Sequence, residues 1–136
     1  MEKEKMFKMS FVSMGIYDVL LGLVFAFFYR SIYQALNIEW PNHPGYILVP
    51  ALFLVSGGIG EFLIACNPTR NFDLVIVRTL MKASFAGTVF YCSFRYGVPT
   101  LYMIIATLSL AGISTNLLFF RWAKQSVPPF KTQSTL

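Results

Sequence analysis

The sequence predicts an all-α fold, an integral membrane four-helix bundle whose helices run alternately up and down. Three observations carry this. Of 136 residues, 56% are hydrophobic and 12% charged, about half the charged fraction of an ordinary soluble domain. The apolar residues gather into four long runs, each close to the roughly 20 residues that an α-helix needs to cross about 30 Å of hydrocarbon. None of the runs shows the strict alternation of a barrel strand. So short a chain lacks the side chains to build a water-facing surface, which excludes a typical cytosolic enzyme and a disordered chain. Two cysteines are too few for a small secreted scaffold held by disulfides.

The first run, 11–29, follows Lys3, Lys5 and Lys8 and superficially looks like a secretory signal. It exceeds a usual signal core, carries Asp18 near its middle and ends in Tyr29, Arg30 and Ser31 rather than a small-residue cleavage site. A retained helix is expected, preceded by a polar tail, 1–10. The loop after it contains 31–38, readable as a short amphipathic turn in the headgroups or as an irregular connection, ended by Pro41 and Pro44. The second run is 46–66. Pro68 stops it, and Asn71 or Asp73 is placed to cap the third run, 74–94. The fourth, 100–120, leads into a polar tail, 121–136, where Val127, Pro128, Pro129 and Phe130 predict an extended strip. Four helices use most of the chain, so residues 1–136 form one transmembrane domain, without repeats or low-complexity segments.

Orientation follows from the basic residues. Lys3, Lys5 and Lys8 lie before the first run, Arg70 and Arg78 around the second connection, and Arg121, Lys124 and Lys131 after the last run. The first and third connections hold Arg30 and Arg95 alone. Both termini are therefore expected in the cytoplasm, with the longer first loop outside. The net charge of +5 records topology and attraction to an anionic leaflet, not nucleic acid. Tyr29, Tyr33, Trp40, Tyr46, Tyr91, Tyr96 and Tyr102 suit the outer interface, and Trp122 the inner one.

Cys66 falls at the inner end of the second run and Cys92 near the outer end of the third, most of a bilayer apart and too far for a disulfide. There is no CxxC, no HExxH, no glycine-rich phosphate loop and no nucleophile motif, and the one histidine, His43, sits in the first loop. The sequence therefore names no catalytic residue, no metal site and no intrinsic cofactor.

The informative residues are the polar ones inside the runs, because an ionisable group at mid-helix costs roughly 2.5–3.5 kcal/mol on insertion scales. Each run carries one: Asp18, Glu61, Lys82 and Asn116. Counted from the cytoplasmic end of each run at 1.5 Å per residue, they lie about 10, 8, 12 and 6 Å deep. Groups at nearly one depth on four antiparallel helices predict one cluster, with Lys82 facing Asp18 or Glu61 and Asn116 bridging. Arg78, one turn before Lys82, is placed to serve the second carboxylate, and Tyr17 adds a hydroxyl beside Asp18. The competing expectation is that Lys82 and Arg78 snorkel to the interface and Glu61 reaches water, with Asp18 held inside and Asn116 making a packing hydrogen bond between helices. Small residues at Gly15 and Gly22, Ser56 and Gly60, and Ala83 and Gly87 predict close helix packing around the cluster.

The stretches GIYDVLLGL (15–23) and GGIGEFLIACNPTRN (57–71), together with Lys82, resemble the small four-helix bacterial membrane proteins grouped as DoxX-like. The resemblance implies the same four-helix fold, a place in a bacterial inner membrane and association with larger enzymes, since named members of the wider group are subunits of quinone-linked oxidoreductases; it also leaves a bound lipid or quinone as the cofactor class to consider. It transfers no catalytic residue. Where an acidic residue is expected in the last helix of such proteins, this chain has Asn116. The sequence thus points first to an accessory or structural subunit whose partners are membrane lipids and other subunits or copies of itself. A binding or transport module built on the polar cluster comes second, and a quinone- or lipid-linked enzyme subunit last.

Overall fold

The computed structural model describes residues 2–126, which form four helices: α1 (Glu2–Ala35), α2 (Gly45–Cys66), α3 (Phe72–Tyr96) and α4 (Thr100–Ser126). All four are long and apolar enough to cross a membrane, and the chain is an integral membrane protein. The strip at 127–130 lies outside the described residues.

The helices overrun the apolar segments that predicted them. Residues 2–10, the polar tail before the first apolar run, are the first turns of α1, which spans 34 residues, roughly 51 Å at the α-helical rise. Two interactions hold this extension. Glu4 pairs with Lys8 one turn later at 2.9 Å, and Phe7 is buried against Phe119 and Trp122 of α4. At its other end α1 continues through Ala35, so most of 31–38 is helix rather than a turn or irregular connection. The helix closes where Asn37 adopts a left-handed backbone (φ 49°) and Ile38 N–H reaches back to the Tyr33 carbonyl at 2.9 Å. In the same way α4 runs past 120 to Ser126.

Between helices the connections follow local chemistry. His43 Nδ1 accepts the Gly45 N–H at 3.0 Å at the start of α2. Asn71 occupies the N-cap of α3 but its side chain does not cap that helix; its amide instead donates to the Leu63 carbonyl of α2 at 2.7 Å. The orphan carbonyls at a helix end have thus recruited the amide that sequence assigned to the next helix. Gly97 turns the chain out of α3 with φ 78°, a conformation open to glycine at little cost.

The bundle is two hairpins. α1 packs most extensively on α2, and α3 on α4; the hairpins meet more thinly along α2–α3 and most thinly along α1–α4. Among the described residues the backbones of α1 and α3 face each other only across the bundle diagonal. Glycine sets the first hairpin's intimacy: a Cβ on Gly22 would fall 2.6 Å from the Ala51 carbonyl oxygen, and one on Gly58 would fall 2.7 Å from that of Gly15. Ala83 and Gly87, by contrast, face outward, with open space around Gly87, and do not pack the cluster. Ser56 is likewise exposed, and the buried pair on α2 is Gly57 with Gly58.

Three apolar clusters fill the interior. At the end that carries the termini, Phe7, Phe11, Ile64, Ala65, Val75, Phe119 and Ala123 form one, with Phe72, Phe120 and Trp122 packed around it. Toward the opposite end the core divides into a set around Phe25, Tyr33, Ile47, Ala51 and Ile105 and a smaller one around Ala86, Val89 and Ala106. Tyr33 is buried and its hydroxyl hydrogen-bonds that of Tyr102, so these two tyrosines tie α1 to α4 rather than marking an interface with water.

Candidate functional site

Asp18 on α1, Glu61 on α2, and Arg78 and Lys82 on α3 converge between the apolar clusters. The two cations lie one turn apart on one face of α3, and each reaches both acids. The Arg78 guanidinium donates through Nη2 to Asp18 Oδ2 and through Nε to Glu61 Oε1, the latter at 3.3 Å. Lys82 Nζ lies 3.1 Å from Asp18 Oδ2 and 3.4 Å from Glu61 Oε1. One oxygen of each carboxylate is therefore shared by two cations. Glu61 is 0%, Asp18 3% and Arg78 5% exposed, so three of the four groups are fully interior and Lys82 nearly so. The long side chains turn inward instead of snorkelling, because only inside do they meet opposite charge. Four charges that sum to zero lower the cost of burial.

Charge is segregated by hairpin. Both acids belong to α1–α2 and both bases to α3. The short acids sit on the two helices whose backbones are closest, and the long cations span the diagonal where backbones do not meet. Gly57 completes the fit: a Cβ there would collide with the Arg78 guanidinium. The Arg78 Nη1 edge faces the Met81 sulphur at 3.7 Å.

Asn116 is fully buried, yet it does not bridge the ionic groups as depth alone suggests. Its amide donates to Thr79 Oγ1 at 2.8 Å, and that hydroxyl donates to the Val75 carbonyl at 2.7 Å. This side chain fastens α4 to α3. Tyr17 is also outside the cluster; it is partly exposed and its hydroxyl has no hydrogen-bond partner among the described residues. Two buried acceptors, Glu61 Oε2 and Asn116 Oδ1, lack a protein donor among the described residues.

The position of the cluster along the bundle limits what can reach it. On the side of the termini it is closed by the ring-on-ring packing of Phe7, Phe11 and Phe119, with centroid separations of 5.4 Å for Phe7–Phe119 and Phe11–Phe119. Phe11, Phe119, Ile64 and Val75 there are fully buried. Aromatic packing thus covers the cluster toward that end. Cys66 and Cys92 are both free. Among the described residues no group of three or more His, Cys, Asp or Glu side chains is arranged to hold a metal.

No family model, curated protein or solved structure matches this chain.

Proposed function

We propose that the chain is a structural subunit of a larger membrane assembly, inserted in a bacterial inner membrane with both termini in the cytoplasm. The observation that carries this reading is the mutual engagement of the four buried charges, each cation contacting both acids above an aromatic seal. A site built to hold a substrate ion keeps charge in reserve for it, whereas here every charge already meets two of opposite sign, and these pairs join the two hairpins. The positive-inside bias of the basic residues supports the orientation. Large apolar side chains remain outward on every helix, including Phe27, Phe53, Phe94 and Leu118, faces that suit neighbouring subunits as well as lipid. The DoxX-like resemblance makes a quinone-linked oxidoreductase the partner class to seek. Purification in a gentle detergent after in-membrane crosslinking tests the proposal: a defined partner should co-elute, and an isolated monomer without crosslinks refutes it.

A second reading, a small binding or transport module, is favoured by Glu61 Oε2, a buried carboxylate oxygen without a protein donor. On this reading Asp18→Asn and Lys82→Met abolish a flux or ligand affinity while the protein still folds. Altered stability with every flux and affinity unchanged eliminates it.

A further inference from the structure

The two acids of the quartet are not equivalent. Asp18 accepts through Oδ2 from Arg78 Nη2 and from Lys82 Nζ, the latter at 3.1 Å. Glu61 is fully enclosed, and the same two cations approach it only to 3.3 and 3.4 Å, beyond the roughly 2.7–2.9 Å of a charge-assisted bond. Both contacts fall on Oε1. Oε2 is buried and has no donor among the described residues, and burial without a partner works against an ionised oxygen.

We propose that Glu61 Oε2 is a proton-binding site, the place where the quartet, and not Asp18, takes up a proton on acidification. The proton adds to a free lone pair of Oε2, so neither cation is displaced from Oε1. One O–H bond forms and none breaks within the protein. Two bases then stand against one remaining anion, and the quartet passes from neutral to singly positive. A metal ion does not suit the same oxygen, because Arg78 and Lys82 already stand beside the carboxylate and no group of three or more His, Cys, Asp or Glu side chains among the described residues converges there. A proton needs one lone pair and no coordination shell.

The charged neighbours of Glu61 are few. Asp18 lies across from it on α1, Arg78 and Lys82 face it from α3, and the one buried polar side chain of α4 is the neutral Asn116. Discharging Glu61 therefore leaves both cations to Asp18. α1 keeps its ionic tie to α3, whereas α2 loses its own and stays attached to α1 through the approaches of Gly22 to Ala51 and Gly58 to Gly15. The proton thus acts on the thin α2–α3 seam. This inference rests on the same oxygen as the second reading and names its ligand; a flux can be absent while the proton binds, so the two fail separately.

Infrared difference spectroscopy of the full chain in lipid, titrated from neutral to acid pH while circular dichroism follows the helices, tests the site. An acid carbonyl band equal to one carboxyl per chain should appear at a higher frequency than the water-bonded acids of Glu2, Glu4 and Glu39, which reach solvent. It should shift on isotopic labelling of glutamate carboxyls and not of aspartate carboxyls, and should be wholly absent from Glu61→Gln. If that variant does not fold, labelling of the unaltered chain still assigns the band. A band that follows aspartate labelling places the proton on Asp18, and a band that survives in Glu61→Gln places it elsewhere. Either result overturns the proposal, as does the absence of any such band down to the pH at which the helices melt.

Discussion

The two hairpins solve the problem of burying charge in opposite ways. In α1–α2 the backbones touch through glycine, and the acids are short and held in place by the helices that carry them. In α3–α4 the seam is made of Ala86, Val89 and Ala106 and the Asn116–Thr79 bond, and the bases stand on long side chains that cross the bundle. A rigid acidic half thus receives a reaching basic half. Each hairpin alone would carry two uncompensated charges of one sign into hydrocarbon, so their association is demanded by charge as well as packing. The direct α2–α3 and α1–α4 contacts are thin, and the ionic quartet is the principal link through the centre.

Breaking the link from the basic side should have the largest effect. Arg78→Met leaves two carboxylates sharing Lys82, and loss of one partner of a buried ion pair costs about 3–5 kcal/mol; equilibrium unfolding in mixed detergent micelles should show it, with the hairpins separating first. Next comes the acidic half's geometry. Gly58→Val forces side-chain atoms into the Gly15 backbone and should cost about 1–3 kcal/mol or more. Gly87→Ala, on the open face of α3, should instead raise the unfolding midpoint slightly, because alanine gains up to about 1 kcal/mol in helix propensity. If the two glycine variants behaved alike, the contrast in backbone approach between the hairpins would be wrong.

A double-mutant cycle between Asp18→Asn and Lys82→Met should return a coupling of about 0.5–3 kcal/mol, largely insensitive to added salt because both groups are buried. The surface pair Glu4–Lys8, tested by Lys8→Gln, should be worth about 0.3–0.5 kcal/mol and should fade with salt. Smallest of all is Asn116→Leu: interhelical polar bonds in membranes average about 0.6 kcal/mol, and the substitution also removes the unpartnered Asn116 Oδ1. A near-neutral result marks this residue as a fastener between α3 and α4 with no part in the ionic quartet.

The four helices and the convergence of Asp18, Glu61, Arg78 and Lys82 were legible in the sequence, because hydropathy fixes the spans and depth arithmetic on antiparallel helices places groups at one level. Depth carries no azimuth, however. It sets Asn116 beside the ions, whereas the other expectation for this residue, a packing hydrogen bond, is the one formed, to Thr79 on the adjoining face at roughly the same depth of about 8 Å by the same count. It also credited Tyr17, which is next to Asp18 in sequence but turned away by the helical 100° per residue. The inward turn of Arg78 and Lys82 was hidden for a different reason. A lone helix permits snorkelling, and only the clearance over Gly57 and the presence of both acids make the interior the better place. Helix ends were misjudged because aromatic contacts such as Phe7 with Trp122 extend order past the hydrocarbon, where hydropathy falls silent.

The neutrality of the quartet has an electrical consequence. A charge moved across a membrane under tension of 100 mV exchanges about 2.3 kcal/mol with the field, but two acids and two bases at one level carry no net charge. In an energised membrane the assembled bundle should therefore feel almost no force at its centre, whereas either hairpin moved alone would be driven, in opposite directions. Voltage across the bilayer acts on the buried charges of the separated halves and finds the joined quartet electrically silent.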